Sequence, residues 1–290
     1  MIKITNLQKR YRKAKSFALQ DINLEINQGM YGLLGANGAG KTTLINILTT
    51  MSPKTSGEII VNDILYEPSN YPTIRKAIGY VPQEFGMFPN MRIAEIMDYF
   101  RILNAVPQLE GSERINNLLE YLNLSQHADK KFKHLSGGMK RRLSIGLALI
   151  NDPKIIIADE PTTGVDPNER INIRNLLLDL AETKTVIMST HIIEDISYTC
   201  KDLAVLSTGK LMFSGLIGNL LNKYAGFAWE YKTKDENETE NIRKQMIVTN
   251  ITRENDGIIL KILGKDIDID GARRIPLSLE DAFILLEGGY

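Results

Sequence analysis

The chain has 290 residues, 43% of them apolar and 24% charged, enough for one large domain and a small one. Lys plus Arg (35) balances Asp plus Glu (35), so the net charge is zero, which argues against a protein that binds nucleic acid through bulk charge. One cysteine, Cys200, leaves no internal disulfide, in keeping with a reducing compartment and a small buried apolar side chain. No apolar run reaches the ~20 residues that span a bilayer, and Met1 to Thr5 carry no secretory pattern. Any membrane role is expected to be peripheral and to run through a partner.

Ile2, Ile4 and then Ile22, Leu24 and Ile26 alternate with polar residues, which predicts half-exposed strands of an antiparallel layer. Met30 to Leu34 is a short apolar strand running into a glycine-rich loop, with a helix expected over 43–49 and strands over 58–62 and 77–81. From about 84 to 150 the rhythm changes. Ile93, Ile96, Met97, Phe100 and Leu103 fall at helical spacing, as do Ile115, Leu118, Leu119 and Leu122, predicting a helical insert. Strand-like runs return at 155–158, 185–188 and 203–206, with a helical pattern between the first two, as a parallel sheet requires. Composition shifts after Tyr224. The polar stretch Lys232 to Glu240 reads as a boundary or exposed loop, followed by β-like runs over 246–251 and 257–263 and a short helix over 278–286. The expected fold is α/β: a mostly parallel sheet carrying the phosphate loop, an antiparallel β layer, a helical subdomain and a small C-terminal α+β appendage. The expected division is 1–223 and 224–290.

Gly35 to Thr42 matches G-x-x-x-x-G-K-[ST], with an apolar strand before it and a helix after it. Glycines let the backbone curl until successive N–H groups point at phosphate oxygens, and the helix adds its positive end. Asn37, Gly38, Ala39, Gly40, Lys41, Thr42 and Thr43 are therefore candidate ATP ligands. Lys41 supplies a point charge for the outer phosphates, and the Thr42 hydroxyl is a candidate Mg²⁺ ligand. Ile155 to Glu160 is an apolar strand ending in two carboxylates. Asp159 is placed to hold Mg²⁺, and Glu160 to polarise the attacking water as general base.

Leu135-Ser136-Gly137-Gly138-Met139 stands between the helical insert and the acidic strand. It resembles the signature sequence of ATP-binding-cassette (ABC) ATPases, and motif order agrees over roughly residues 1 to 220. The resemblance implies ATP hydrolysis by a head-to-tail dimer of two copies. Ser136, Gly137 and Gly138 of one copy would contact the γ-phosphate held by the other. It also implies that Tyr11 stacks on adenine, that Gln83 approaches Mg²⁺ and the attacking water, and that His191 contacts the γ-phosphate. Gly164-Val165-Asp166 resembles the loop that crosses the dimer interface, with Val165 where the family usually has leucine. Met139-Lys140-Arg141-Arg142 departs from the common glutamine after the signature and resembles the ATPase subunits of exporters for drugs, antibiotics and antimicrobial peptides. So does the ending Ser278 to Phe283.

The expected function is the ATP-hydrolysing subunit of an ABC transporter, driving export through a separate transmembrane permease from the cytoplasmic face of the membrane. The segment Gly86 to Phe100, with Met87, Phe88 and Met91, is the expected docking site, although a core role for some of them fits equally. The alternative is a soluble ABC ATPase acting on DNA or ribosomes. Against it stand the absence of a long heptad run, of a Cys-x-x-Cys and of a second phosphate loop; no nucleic acid partner is expected. The substrate is not encoded here, and the tail is compatible with dimer contacts, regulation or covering the core.

Overall fold

Alternating apolar residues at the N-terminus build one face of an antiparallel sheet, and their partners come from across the chain. In the computed structural model, which describes residues 1–12 and 14–290, β1 (Ile2–Lys9) pairs with β2 (Leu19–Ile26) in register Ile2↔Ile26 and Ile4↔Leu24. β3 (Gly29–Leu34) leads into α1 (Lys41–Leu48). β4 (Ser56–Val61) and β5 (Ile64–Leu65) complete the four-stranded sheet β2-β1-β4-β5. After α2 (Tyr71–Ala77) and β6 (Ile78–Val81) come the three helices of the insert, α3 (Ile93–Leu103), α4 (Gln108–Tyr121) and α5 (Gly137–Leu149). β7 (Ile155–Asp159), α6 (Pro167–Ala181), β8 (Thr185–Thr190), α7 (Ile193–Thr199), β9 (Asp202–Ser207) and β10 (Lys210–Leu216) follow.

The main sheet has the order β10-β9-β3-β8-β7-β6. β8 therefore lies between the strand that feeds the phosphate loop and the acidic strand, parallel to both. All five residues of β7 and all six of β8 are buried, which is why Ile155 to Ala158 and Val186 to Met188 run apolar without alternating. α1 joins the two sheets. Its Leu44, Ile45, Ile47 and Leu48 share one core with Ile2, Ile4 and Leu7 on one side and Ile155, Ile157 and Ile187 on the other. Each such side chain is worth about 1.5–3 kcal/mol when fully buried, so the core fixes the phosphate loop that α1 terminates. Cys200 is buried, and burial pushes its thiol up to about 12.

The chain divides into two compact units, Met1–Ser214 and Gly215–Tyr290. Within the second, α8 (Ile217–Lys223) packs on α10 (Leu279–Glu287), so the division falls nine residues before the expected position. The second unit also contains β11 (Ala228–Thr233), α9 (Glu236–Gln245), β12 (Ile247–Glu254), β13 (Gly257–Leu263) and β14 (Arg273–Arg274), in sheet order β12-β13-β11-β14. The polar stretch 232–240 is thus no loop: it ends a strand and starts a helix. α9 buries only Thr239 and Ile242, and its polar sequence hides the period. Its ends carry the local signals instead. Asp235 accepts from the Asn237 amide, Glu236 and Glu238 lie in the first turn, and Arg243 and Lys244 in the last.

Candidate active site

The functional side chains collect at the carboxyl ends of β3, β8 and β7, where open α/β sheets bind ligands. Residues 35–40 form the loop between β3 and α1. Gly40 stands at φ +107°, and a side chain there would meet the Ala18 carbonyl at 3.0 Å, so glycine is required. No side chain caps α1, which leaves its first amides free for an anion. Lys41 is only 5% exposed, and its Nζ donates to the Gly35 carbonyl (2.6 Å) and the Ala36 carbonyl (3.2 Å), bracing the loop from within. Burial lowers the Lys41 pKa, while Glu160 and Asp159 pull it back up.

Asp159, at the end of β7, is 2% exposed and accepts from the Ser189 hydroxyl of β8. Burial raises its pKa, Ser189 opposes this, Glu160 adds to it, and Lys41 and Arg141 oppose it. Glu160 follows in a left-handed backbone conformation, φ +45°. That conformation is costly for a glutamate and is typical of functional positions. It is held by the Glu160 amide donating to the Ser189 carbonyl (3.0 Å). The carboxylate meets His191 Nδ1 at 3.1 Å, the Gln83 amide at 3.3 Å and the Thr163 hydroxyl at 3.2 Å. Three loops thus converge on one carboxylate, and β8 brings the histidine between the other two strand ends.

A cleft of about 740 Å³ opens over these groups, lined by Asn37 to Thr43, Gln83 and Glu160. Asp159 lies behind the lining and His191 beside it through Glu160. Ser16, Phe17, Ala18, Thr208 and Gly209 complete the walls; sequence reading missed all five. Phe17 was findable as an aromatic just before the strand that flanks the loop. Tyr11 is not among the lining residues. It is 46% exposed, with Lys9 Nζ 4.8 Å from its ring centroid, a cation–π contact that engages the ring.

Ser136, Gly137 and Gly138 do not reach this cleft. The Ser136 hydroxyl accepts from the Met139 amide (3.2 Å) and caps α5, Gly137 is exposed, and Gly138 packs against the Glu169 side chain so closely that a β-carbon would collide with it. Gly137 instead lines a small cavity of about 180 Å³ with Gln83, Arg141 and Gly164. Asp166 caps α6 by accepting from the Glu169 amide at 3.0 Å. Among the described residues no group of three or more His, Cys, Asp or Glu could hold a metal ion. The donor set of one buried carboxylate, the Thr42 hydroxyl and the Gln83 amide suits Mg²⁺, which takes few protein ligands and fills its shell with phosphate oxygens and water.

Comparison with known proteins agrees with this geometry. The ABC transporter family model matches residues 19–163, half of the chain. The linearmycin resistance ATP-binding protein LnrL of Bacillus subtilis is 33% identical over 228 residues, 78% of this chain and 72% of that protein. The Nod factor export ATP-binding protein I of Cupriavidus metallidurans is 34% identical over 228 residues, 78% of this chain and 74% of that protein. The dimeric post-hydrolysis ATP-binding cassette MJ0796, bound to ADP and Pi, superposes with a TM-score of 0.67 at 29% identity, covering 74% of this chain and 98% of that one. The chain belongs to the ABC transporter family. It is an ATP-binding cassette, a phosphate-loop ATPase.

Proposed function

We propose that this chain powers export through a membrane-spanning permease, as one of two cassettes seated at the cytoplasmic face of the membrane. The observation that carries the docking is an apolar groove of about 640 Å³ lined by Phe85, Met87, Phe100, Tyr80, Pro82 and Leu147 among others. Its lining includes Pro82 and Glu84, the neighbours of Gln83 on either side, so a helix seated in it would bear on the catalytic carboxylate through that glutamine. Phe88 and Met91 are not among the groove-lining residues: Phe88 is 60% exposed, with its ring centroid 6.4 Å from that of Tyr99, and extends the apolar surface outward. No helix among the described residues is long and apolar enough to cross a membrane, which supports a partner supplying the spans. Export is supported by the names of the two bacterial relatives, a resistance protein and an export protein, and by the Met139 to Arg142 variant.

In this reading the amides of Asn37 to Thr43 and the Lys41 charge hold the nucleotide phosphates. Phe17 walls the base in the place expected for Tyr11. Glu160 takes a proton from the attacking water, and His191 and Gln83 orient water and γ-phosphate. Thr42, Asp159 and Gln83 would hold Mg²⁺, which neutralises charge on the β- and γ-phosphates when bound with the nucleotide. Ser136 to Gly138 complete the site of a second copy. Each nucleotide then bridges two cassettes, closes them, and releases them on hydrolysis, moving the groove.

The test is to tag the chain in its own host, solubilise membranes in mild detergent and identify what co-purifies. A polypeptide with several apolar spans of ~20 residues, lost on Met87→Asp, is expected. A protein recovered only from the soluble fraction, alone or with ribosomes or DNA, would replace transport with a soluble ATPase role.

A further inference from the structure

Arg141 is the fifth residue of α5, the helix that begins at the signature segment, and is only 8% exposed. A guanidinium carries five donors and no acceptor, so its burial requires several acceptors within reach. Here they are backbone carbonyls on two separate loops: Pro82 (2.6 Å) and Gln83 (2.8 Å) just after β6, and Glu160 (3.4 Å) at the end of the acidic strand. Among the described residues no hydrogen bond joins it to a carboxylate side chain. The two residues whose carbonyls it holds also meet each other, through the Gln83 amide and the Glu160 carboxylate at 3.3 Å. The three residues therefore form a closed circuit, and one of its members, Glu160, sits in a strained backbone conformation that its surroundings must enforce.

We propose that Arg141 is a positioning residue that couples the start of α5 to the Gln83–Glu160 pair, so that it sets the rate of hydrolysis and not the affinity for nucleotide. The inference rests on the assignment of Glu160 as general base. Its physical content is simple. Among the described residues, the hydrogen bonds of Arg141 reach the cleft lining only at Gln83 and Glu160. Displacement of Ser136 to Gly138 by a nucleotide on the other copy moves the first turns of α5. The fork at Arg141 carries that movement to the Gln83 and Glu160 backbones together. A lysine at this position presents a single flexible point charge, which can serve one carbonyl but cannot hold both loops at fixed spacing.

The experiment uses the full chain and measures kcat and KM for ATP, together with affinity for a fluorescent ATP analogue, for wild type, Arg141→Gln, Arg141→Lys, Glu160→Gln and the double variant Arg141→Gln/Glu160→Gln. The expected result is a kcat about tenfold lower in Arg141→Gln, with nucleotide affinity within about twofold of wild type and Arg141→Lys in between. The double variant should be no slower than Glu160→Gln alone, because the arginine acts through the glutamate. The proposal is overturned by kcat within about twofold of wild type in both Arg141 variants, by kcat and affinity falling together in them, or by an additive loss in the double variant. If Arg141→Gln does not fold, Arg141→Lys decides by the same split between kcat and affinity. Failure of the base assignment itself shows separately, as wild-type turnover in Glu160→Gln.

Discussion

The turns Gly35–Gly40 and Leu135–Gly138 each carry glycines and each feed a helix, α1 and α5. Around the first, Asn37 to Gly40 line the chain's own cleft: Lys41 is buried, Gly40 closes under Ala18, and the first amides of α1 have no side-chain cap. Around the second, Ser136 caps its own helix, Ser136 and Gly137 face outward, and no residue of the segment lines the cleft. In the proposed reading the first turn is an anion site complete within one chain, and the second is a surface that serves the nucleotide of another copy. A glycine motif therefore does not say whether a site is self-contained; the cap and the side on which the amides emerge do.

The largest effect that sharpens this contrast is expected at Glu160. Glu160→Gln should reduce turnover by about 10²–10⁴-fold while nucleotide still binds, leaving an ATP-bound dimer visible by light scattering. Wild-type turnover there would place the base on another residue. A paired test separates the two turns directly. Lys41→Ala should weaken nucleotide binding to a single chain by roughly 10–100-fold, the value of a lost charge-assisted contact. Gly138→Ala should leave that binding within about twofold but cut turnover by up to about 10²-fold, since the methyl group meets Glu169 and displaces the start of α5. Loss of binding in both variants alike would mean that the signature segment serves its own cleft.

The smallest effect concerns stability. Burial raises the Asp159 carboxyl above its unfolded value of about 3.9. A raised carboxyl favours the folded state most below that value, and the contribution is lost as pH rises through the folded pKa. At pH 7 the ionised group thus lowers stability. Asp159→Asn should raise Tm at pH 7 by roughly 2–4 °C, with the gain shrinking toward pH 4. A variant that melts at or below the wild-type temperature at pH 7 would show that Ser189, Lys41 and Arg141 outweigh burial.

Contiguous motifs were readable because local backbone chemistry encodes them. Residues 35–42 require glycines and a lysine in fixed order, and 155–160 require a buried strand ending in acids. The helical insert declared itself through the 3.6-residue period of α3 and α4. α9 did not, because only Thr239 and Ile242 are buried and the helix is held by end charges.

The sequence by itself determined the phosphate-loop motif and the two carboxylates that end the acidic strand run, since each lies in a short run of fixed residue types, while the family resemblance implied the roles of Gln83, His191 and Ser136. Only the tertiary structure decided that β8 separates β3 from β7, that Phe17 and not Tyr11 walls the cleft, and that Arg141 holds Gln83 and Glu160. Those facts join residues distant in the chain: Gln83 and Glu160 lie 77 positions apart, and Gly29 pairs with Thr185 across β3 and β8. Strand order and the direction of a buried side chain follow from how whole layers pack, and no local spacing records them.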